Sequence, residues 1–256
     1  MKSPLRYPGG KTRACKILDQ IIVNNNIKID TIISPFFGGG SFEFYLENKY
    51  KTRIIANDKF NPLYTFWKTV KENKKELCNK LYKKINKIDK EEFMKMRKEI
   101  MNSEGIDKAL MYFIINRCSF SGSTLSGGFS LESSKNRFTE SSIDRINKLE
   151  LSNFQIYNQD FKEFINNNKN GFMFLDPPYY LEKKSKLYGN NGDMHEDFNH
   201  NELYNCLKDR KNWIMTYNNC EFIKKLYNQF KIIETCWSYG MNKTKESSEI
   251  VILSKN

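Results

Sequence analysis

Hydrophobic and polar positions along this chain follow three successive patterns. Up to about residue 60, short apolar runs alternate with stretches of helical spacing: Thr31-Ile32-Ile33 leads into a glycine loop, Ser41 to Glu47 reads as a helix, and Arg53-Ile54-Ile55-Ala56 reads as a second strand. From about 73 to 117 the strand-like runs stop and a charged, helical pattern takes over, in which Asp89-Lys90-Glu91-Glu92 has the form of an N-cap with an acidic N3 partner. Residues 119–137 (SFSGSTLSGGFSLESSKNR) are rich in Ser and Gly and predict an exposed loop or hairpin. After Leu149 strand grammar returns, at Phe154 to Tyr157, Phe172 to Leu175, Trp213 to Tyr217, Ile232 to Trp237 and Glu249 to Leu253. The pattern therefore predicts a discontinuous α/β domain over 1–72 and 144–256, with a helical insertion at 73–143 packed against it. No repeat or low-complexity linker separates the two.

One of these runs ends in chemistry. Gly171-Phe172-Met173-Phe174-Leu175 is followed directly by Asp176, Pro177, Pro178 and Tyr179. Proline fixes φ and biases the preceding residue away from helix, so a buried strand passes into a preset extended turn. The turn offers one carboxylate, one fixed carbonyl and one ring. A carboxylate and a carbonyl can each accept one N–H of an exocyclic amine while the ring stacks on the base that carries it. A double proline that merely ends a strand, with Tyr179 as surface filler, is the plain alternative.

The glycine loop Phe36-Phe37-Gly38-Gly39-Gly40 stands between the first strand and a helix, and Asp58 ends the next strand. That order suits a nucleotide-like ligand whose ribose hydroxyls are taken by the acid. The loop lacks both the dinucleotide G-x-G-x-x-G spacing and the GK[ST] of a phosphate loop, so a ligand with ribose but no phosphate, such as S-adenosylmethionine, fits better. A plain turn followed by a helix-capping aspartate is the competing reading.

Composition narrows the partners. The 256 residues carry 42 Lys+Arg against 30 Asp+Glu, a formal charge of +12, which favours a polyanion such as nucleic acid. Part of this lysine excess matches the Lys, Asn and Ile usage of AT-rich genomes. No apolar stretch approaches a membrane span and the N-terminus has no signal-like segment, so a soluble, cytoplasmic protein of bacterial or viral type is expected. Cys15, Cys78, Cys118, Cys206, Cys220 and Cys236 are scattered singly, which fits reduced thiols and no zinc cluster. Asp193, His195, Asp197 and His200 could imitate a metal site, but they lie in, or directly after, the polar stretch Glu182 to Asn199 and no metal is expected. That stretch, with Lys183, Lys184 and Lys186, reads either as a lid that touches phosphate or as a solvated loop. Arg117, Ser119, Ser121, Ser123 and Arg137 frame the Ser/Gly segment and are candidate DNA contacts.

Five motifs occur in one order: PLRYPGGK (Pro4 to Lys11), SPFFGGGSF (Ser34 to Phe42), ANDKFNP (Ala56 to Pro62), INRCSFSG (Ile115 to Gly122) and DPPY (Asp176 to Tyr179). In this the chain resembles the Dam-like, alpha-group N6-adenine-specific DNA methyltransferases over nearly its whole length. The resemblance implies a Rossmann-like methyltransferase fold with a seven-stranded sheet and an inserted helical target-recognition lobe. It implies S-adenosylmethionine as methyl donor, double-stranded DNA as substrate, a flipped-out target adenine, and a restriction endonuclease as a candidate functional partner. It assigns amine capture to Asp176, Pro177, Pro178 and Tyr179. It assigns cofactor contacts to Tyr7, Lys11, Phe36, Gly38, Gly40, Asp58, Asp160 and Phe161, with Asp176 adjoining. Ser34 departs from the pattern, because the family usually carries an acid directly before Pro-Phe. Amines on cytosine N4 or on RNA remain compatible with the DPPY geometry, and neither recognition sequence nor oligomeric state is readable.

Overall fold

The computed structural model describes residues 1–180, 198–238 and 246–255. Among these residues one seven-stranded sheet has the order β3-β2-β1-β4-β5-β7-β6. Its strands are β1 Thr31–Ser34, β2 Arg53–Asn57, β3 Phe154–Tyr157, β4 Phe172–Leu175, β5 Trp213–Asn218, β6 Lys231–Ser238 and β7 Glu246–Leu253. The first five run parallel, and β7 is inserted antiparallel between β5 and β6. All four residues of β4 are buried, as a parallel strand covered on both faces requires.

Alternation along the strands assigns side chains to two cores. Ile32, Phe172 and Phe174 face one side, while Ile33, Met173 and Leu175 face the other. The first side is covered by α1 (Cys15–Asn24), α2 (Ser41–Tyr50) and α3 (Asn61–Glu72), and the second by α9 (Phe161–Asn167), α10 (His200–Leu207) and α11 (Glu221–Leu226).

The helical segment comprises α4 (Lys74–Tyr82), α5 (Lys90–Glu99), α6 (Gly105–Cys118), α7 (Leu131–Arg137) and α8 (Glu140–Asn147). Asp89 caps α5 by accepting the Glu92 N–H at 2.8 Å, as the sequence pattern suggested. The insertion docks through α6 onto α3, where Phe66 and Phe113 stack at 5.7 Å. Its apolar residues belong to the same core as the first face of the sheet. Burying that face on α3 is what fixes α6 relative to the sheet.

The sheet order reverses at β1, which pairs β2 on one side and β4 on the other. Open α/β sheets form a crevice at such a switch point, beyond the carboxyl ends of the strands. The glycine loop after β1 and the DPPY turn after β4 therefore emerge side by side. No helix among the described residues is long and apolar enough to cross a membrane.

Candidate active site

A cavity of about 640 Å³ occupies this crevice, bounded by the N-terminal PGGK segment, the glycine loop, Asp58, Asp160, Phe161 and the DPPY turn. Gly38, at φ +50°, sits against the Tyr7 ring so closely that a Cβ would lie 2.7 Å from it. Only glycine permits both that backbone and that approach. Gly40 caps α2 in the left-handed region. Asp58 accepts the Gly38 N–H and the Phe60 N–H, each at 2.9 Å, and so ties the loop to the start of α3. Asp58 thus anchors the glycine loop without capping α3, whose N-cap Phe60 has no side-chain cap hydrogen bond, and each of its oxygens keeps a second lone pair. Burial pushes its carboxyl up to about 6, against the opposing pull of those two N–H groups. Behind it, buried Asn57 joins the loops, donating to the Pro35 and Gln159 carbonyls and accepting the Gln159 N–H.

At the end of β4, Asp176 is held from two sides. Lys11, only 3% exposed, pairs with its carboxylate at 2.8 Å and also donates to the Gly9 carbonyl. Thr216 of β5 donates to Asp176 Oδ1 at 2.7 Å. The Lys11 ammonium lies 5.1 Å from the Tyr179 ring centroid, so PGGK and DPPY form one unit. The Tyr179 hydroxyl donates to buried Glu249 of β7 at 2.5 Å, which sets the plane of the ring. Pro177 and Pro178 complete the wall.

Three rings, Phe36, Phe161 and Phe198, cluster on the opposite wall with centroids 5.2 to 5.7 Å apart. Asp160 stands beside them, capping α9 through the Lys162 N–H and pairing with Lys59 at 2.8 Å. Burial would raise the Asp160 carboxyl, but Lys59 and the Lys162 N–H outweigh it and hold it below the usual range. On the floor, Glu43 of α2 is 2% exposed and accepts the Ser34 hydroxyl at 2.5 Å.

Glu43, Phe198, Thr216 and Glu249 were missed in the sequence. Glu43 reads there as an ordinary first-turn acid, and the other three lie in no motif. Thr216 and Glu249 are placed by register between strands, and Phe198 by packing against Phe36 and Phe161.

The Ser/Gly segment departs from expectation. Instead of an exposed hairpin, residues 120–126 form two 3-10 turns closed by one antiparallel bridge, Ser119 to Phe129, and residues from Leu131 onward are helical. Ser119, Gly122, Thr124 and Leu125 are buried. Arg117 is not presented to DNA: it is 7% exposed and donates to the Arg137 carbonyl at 2.6 Å and the Pro4 carbonyl at 3.2 Å. Burial, and then the nearby Arg6, Arg145 and Arg137, lower its pKa to about 10. Ser119 is wholly buried, with its hydroxyl donating to the Asn116 carbonyl and accepting the Thr124 N–H. Buried Asn116 exchanges hydrogen bonds with the Arg6 backbone, and Gly122, at φ +71°, would place a Cβ 2.7 Å from Arg6. INRCSFSG therefore fastens the N-terminal segment to α6, and its polarity serves backbone groups. Ser121 and Ser123 are partly exposed, Ser123 lines the cavity, and Arg137 is exposed.

Lys183, Lys184, Lys186, Asp193, His195 and Asp197 lie outside the described residues. His200 meets the Tyr217 hydroxyl at 2.5 Å. Among the described residues no group of three His, Cys, Asp or Glu side chains is placed to hold a metal ion.

The profile of the D12 class N6 adenine-specific DNA methyltransferases matches residues 7–241. The chain is similar to the Type II methyltransferase M.MjaIII of Methanocaldococcus jannaschii, with 27% identity over 91% of this chain and 90% of that protein. It is also similar to the Type II methyltransferase M.CviBI of Paramecium bursaria Chlorella virus NC1A, with 24% identity over 90% of this chain and 88% of that protein. A match from the PGGK segment through DPPY and beyond, on a sheet that brings both to one crevice, places this chain in the D12 class N6 adenine-specific DNA methyltransferase family.

Proposed function

We propose that the crevice binds S-adenosylmethionine and that the Asp176-Tyr179 turn holds an adenine flipped out of duplex DNA. The observation that carries this reading is Asp176 itself, fixed at the cavity rim between Lys11 and Thr216 with Tyr179 beside it. The cavity suits the cofactor in size, since small-molecule sites span roughly 300–1,000 Å³, and in chemistry. Asp58 faces it with lone pairs for ribose hydroxyls, Phe36, Phe161 and Phe198 offer an apolar slot for the cofactor's adenine, and the three glycines bring backbone, not side chains, to their stretch of the wall.

When bound, S-adenosylmethionine supplies a sulfonium methyl whose S–C bond breaks, its electron pair staying on sulfur, as the N6–C bond forms. The chain's own residues prepare the nucleophile. The N6 lone pair is delocalised into the ring until its hydrogens are drawn out of plane. The Asp176 carboxylate and the Pro177 carbonyl are the two acceptors, and the proton shed by N6 leaves along the Asp176 hydrogen bond. Lys11 and Thr216 hold Asp176 so that little reorganisation is needed, while Glu249 holds Tyr179 as the stacking platform.

Inside a duplex the amine is out of reach, so the adenine must leave the stack, at a cost of a few kcal/mol. The basic chain holds the phosphates. Partly exposed Ser121 and Ser123, the latter lining the cavity, and exposed Arg137 remain as DNA contacts, and Phe120, 68% exposed in the same loop, is a ring available to fill the vacated stack. A restriction endonuclease as functional partner fits the Type II names of both relatives. Incubating duplex DNA with protein and S-adenosylmethionine, digesting to nucleosides and weighing the products tests the reading. N6-methyladenine is the expected product; N4-methylcytosine, or methylation of RNA alone, would overturn it.

A further inference from the structure

Glu43 is a buried carboxyl group lining the cavity that forms no ion pair among the described residues. It lies in the first turn of α2, 2% exposed, and lines the cavity through which S-adenosylmethionine is proposed to bind. Its partners are the Ser34 hydroxyl at 2.5 Å and its own backbone N–H. Among the described residues it forms no ion pair, and the nearest lysine, Lys11, is paired with Asp176 at 2.8 Å. Burial, opposed by the Ser34 hydroxyl, pushes the Glu43 carboxyl up to about 7, with Asp176 raising it further and Lys11 lowering it. The Cys15 thiol is itself pushed up to about 12 by burial and by Glu43, so it stays neutral beside that carboxyl.

An uncompensated carboxylate is costly to bury, and its proton is the usual remedy. A cation that entered from the cavity would replace that proton. Glu43 follows the glycine loop in the first turn of α2, and the charges that act on it are those of Asp176 and Lys11, not that of Asp58, which is proposed with the three phenylalanine rings to serve the nucleoside end. The ligand's remaining cation is the α-ammonium at its amino-acid end.

Resting on the cofactor reading above, we infer that Glu43, steered by the Ser34 hydroxyl, receives the α-ammonium of S-adenosylmethionine. The carboxylate absent from position 34 is thereby supplied from α2. Ser34 ends β1 directly before the glycine loop, and its hydroxyl touches Glu43 Oε1, so an acid at either position would bring its oxygens to the same part of the floor.

The test uses two ligands that share the nucleoside end. S-adenosylhomocysteine carries the amine, and 5′-methylthioadenosine lacks the whole amino-acid portion. In calorimetry on the intact chain, Glu43→Gln should weaken S-adenosylhomocysteine binding about 10- to 100-fold, as expected for a lost charge-assisted contact, and leave methylthioadenosine unchanged. The double variant Ser34→Asp with Glu43→Ser should restore much of the loss. In wild-type protein, with no substitution to disturb folding, S-adenosylhomocysteine should bind at least about 10-fold more tightly than its analogue with the amine replaced by hydrogen. Equal affinity for that pair would overturn the assignment. So would Glu43→Gln affinities that are unchanged for both ligands, or reduced equally for both. If wild-type protein binds neither S-adenosylhomocysteine nor methylthioadenosine, the cofactor reading itself fails, and the assignment with it.

Discussion

The turn after β4 and the segment from Asn116 to Leu125 are both dense in polar side chains, yet they use them oppositely. At Asp176 and Tyr179 the polar groups are held from behind, by Lys11, Thr216 and Glu249, so that their remaining capacity faces a cavity. At Asn116, Arg117 and Ser119 they are consumed, meeting carbonyls and N–H groups of Arg6, Pro4, Arg137 and Thr124. Polarity alone does not separate a binding surface from a scaffold. What separates them is whether a segment's own backbone needs those groups. The turn after a fully buried parallel strand leaves the sheet with its backbone already fixed by proline, whereas an irregular loop threaded under the N-terminus has orphan carbonyls to satisfy.

The sharpest way to break that contrast is to exchange the Asp176 carboxylate for an amide. An alanine would take the carboxylate partner from buried Lys11, mixing a folding cost with a chemical one. Asp176→Asn keeps the volume and removes the anionic acceptor. Turnover on duplex DNA should fall at least about a thousandfold, the scale of losing a preorganised electrostatic contact, with S-adenosylhomocysteine affinity nearly unchanged. Turnover within tenfold of wild type would show that the turn only walls the cavity.

The next largest effect lies on the scaffold side. Arg117→Ala removes a buried guanidinium that satisfies two backbone carbonyls, and should lower unfolding free energy by about 3 kcal/mol in urea denaturation. Site preference on a randomised duplex library should not change among molecules that remain folded. Undiminished stability combined with relaxed preference at one base pair would return Arg117 to the role of base reader.

These two residues also mark where the sequence was legible. The central strands β1, β4 and β5 were visible as short apolar runs bounded by Gly, Pro, Asn or Asp, because strands buried on both faces need no polar alternation. The proposed strand-end site was suggested by such runs too: Asp58 and Asp176 are the first carboxylates after Arg53 to Ala56 and Phe172 to Leu175. Arg117 was misread because its partners, Pro4 and Arg137, are brought to it only by the docking of the N-terminus onto α6. Glu43 was invisible because an acid in a first helical turn already has a local explanation in the helix dipole. Phe198 and Thr216 join the site through packing of elements that meet across the sheet and carry no spacing signal.

A smaller effect tests the cofactor side of the cavity. Asp58→Asn should weaken S-adenosylhomocysteine binding by about 1–3 kcal/mol, while its amide oxygen can still accept one of the backbone N–H groups. The carboxyl sits at about 6 and the acceptor form is the deprotonated one. The ratio of wild-type to variant affinity should therefore be largest above pH 6 and shrink as pH falls through it. A ratio that is flat with pH, or close to one throughout, would leave Asp58 with the anchoring of the glycine loop alone.

The smallest predicted effect decides whether the two regions meet on the DNA. Arg137 belongs to both: its carbonyl is part of the scaffold, accepting from Arg117, while its side chain is exposed. Substitution to alanine keeps the carbonyl, so stability should move by less than about 0.5 kcal/mol, as for ordinary surface sites. If the guanidinium meets a phosphate, DNA binding should weaken by up to about 1 kcal/mol for all sequences alike, and the slope of log affinity against log salt should fall by about one. If it meets a guanine edge instead, the loss should reach about 1–3 kcal/mol on the cognate site and preference should relax at a single position. A drop in stability like that of Arg117→Ala would make the side chain scaffold as well. An unchanged salt slope and unchanged preference would move DNA recognition away from this face of the loop altogether.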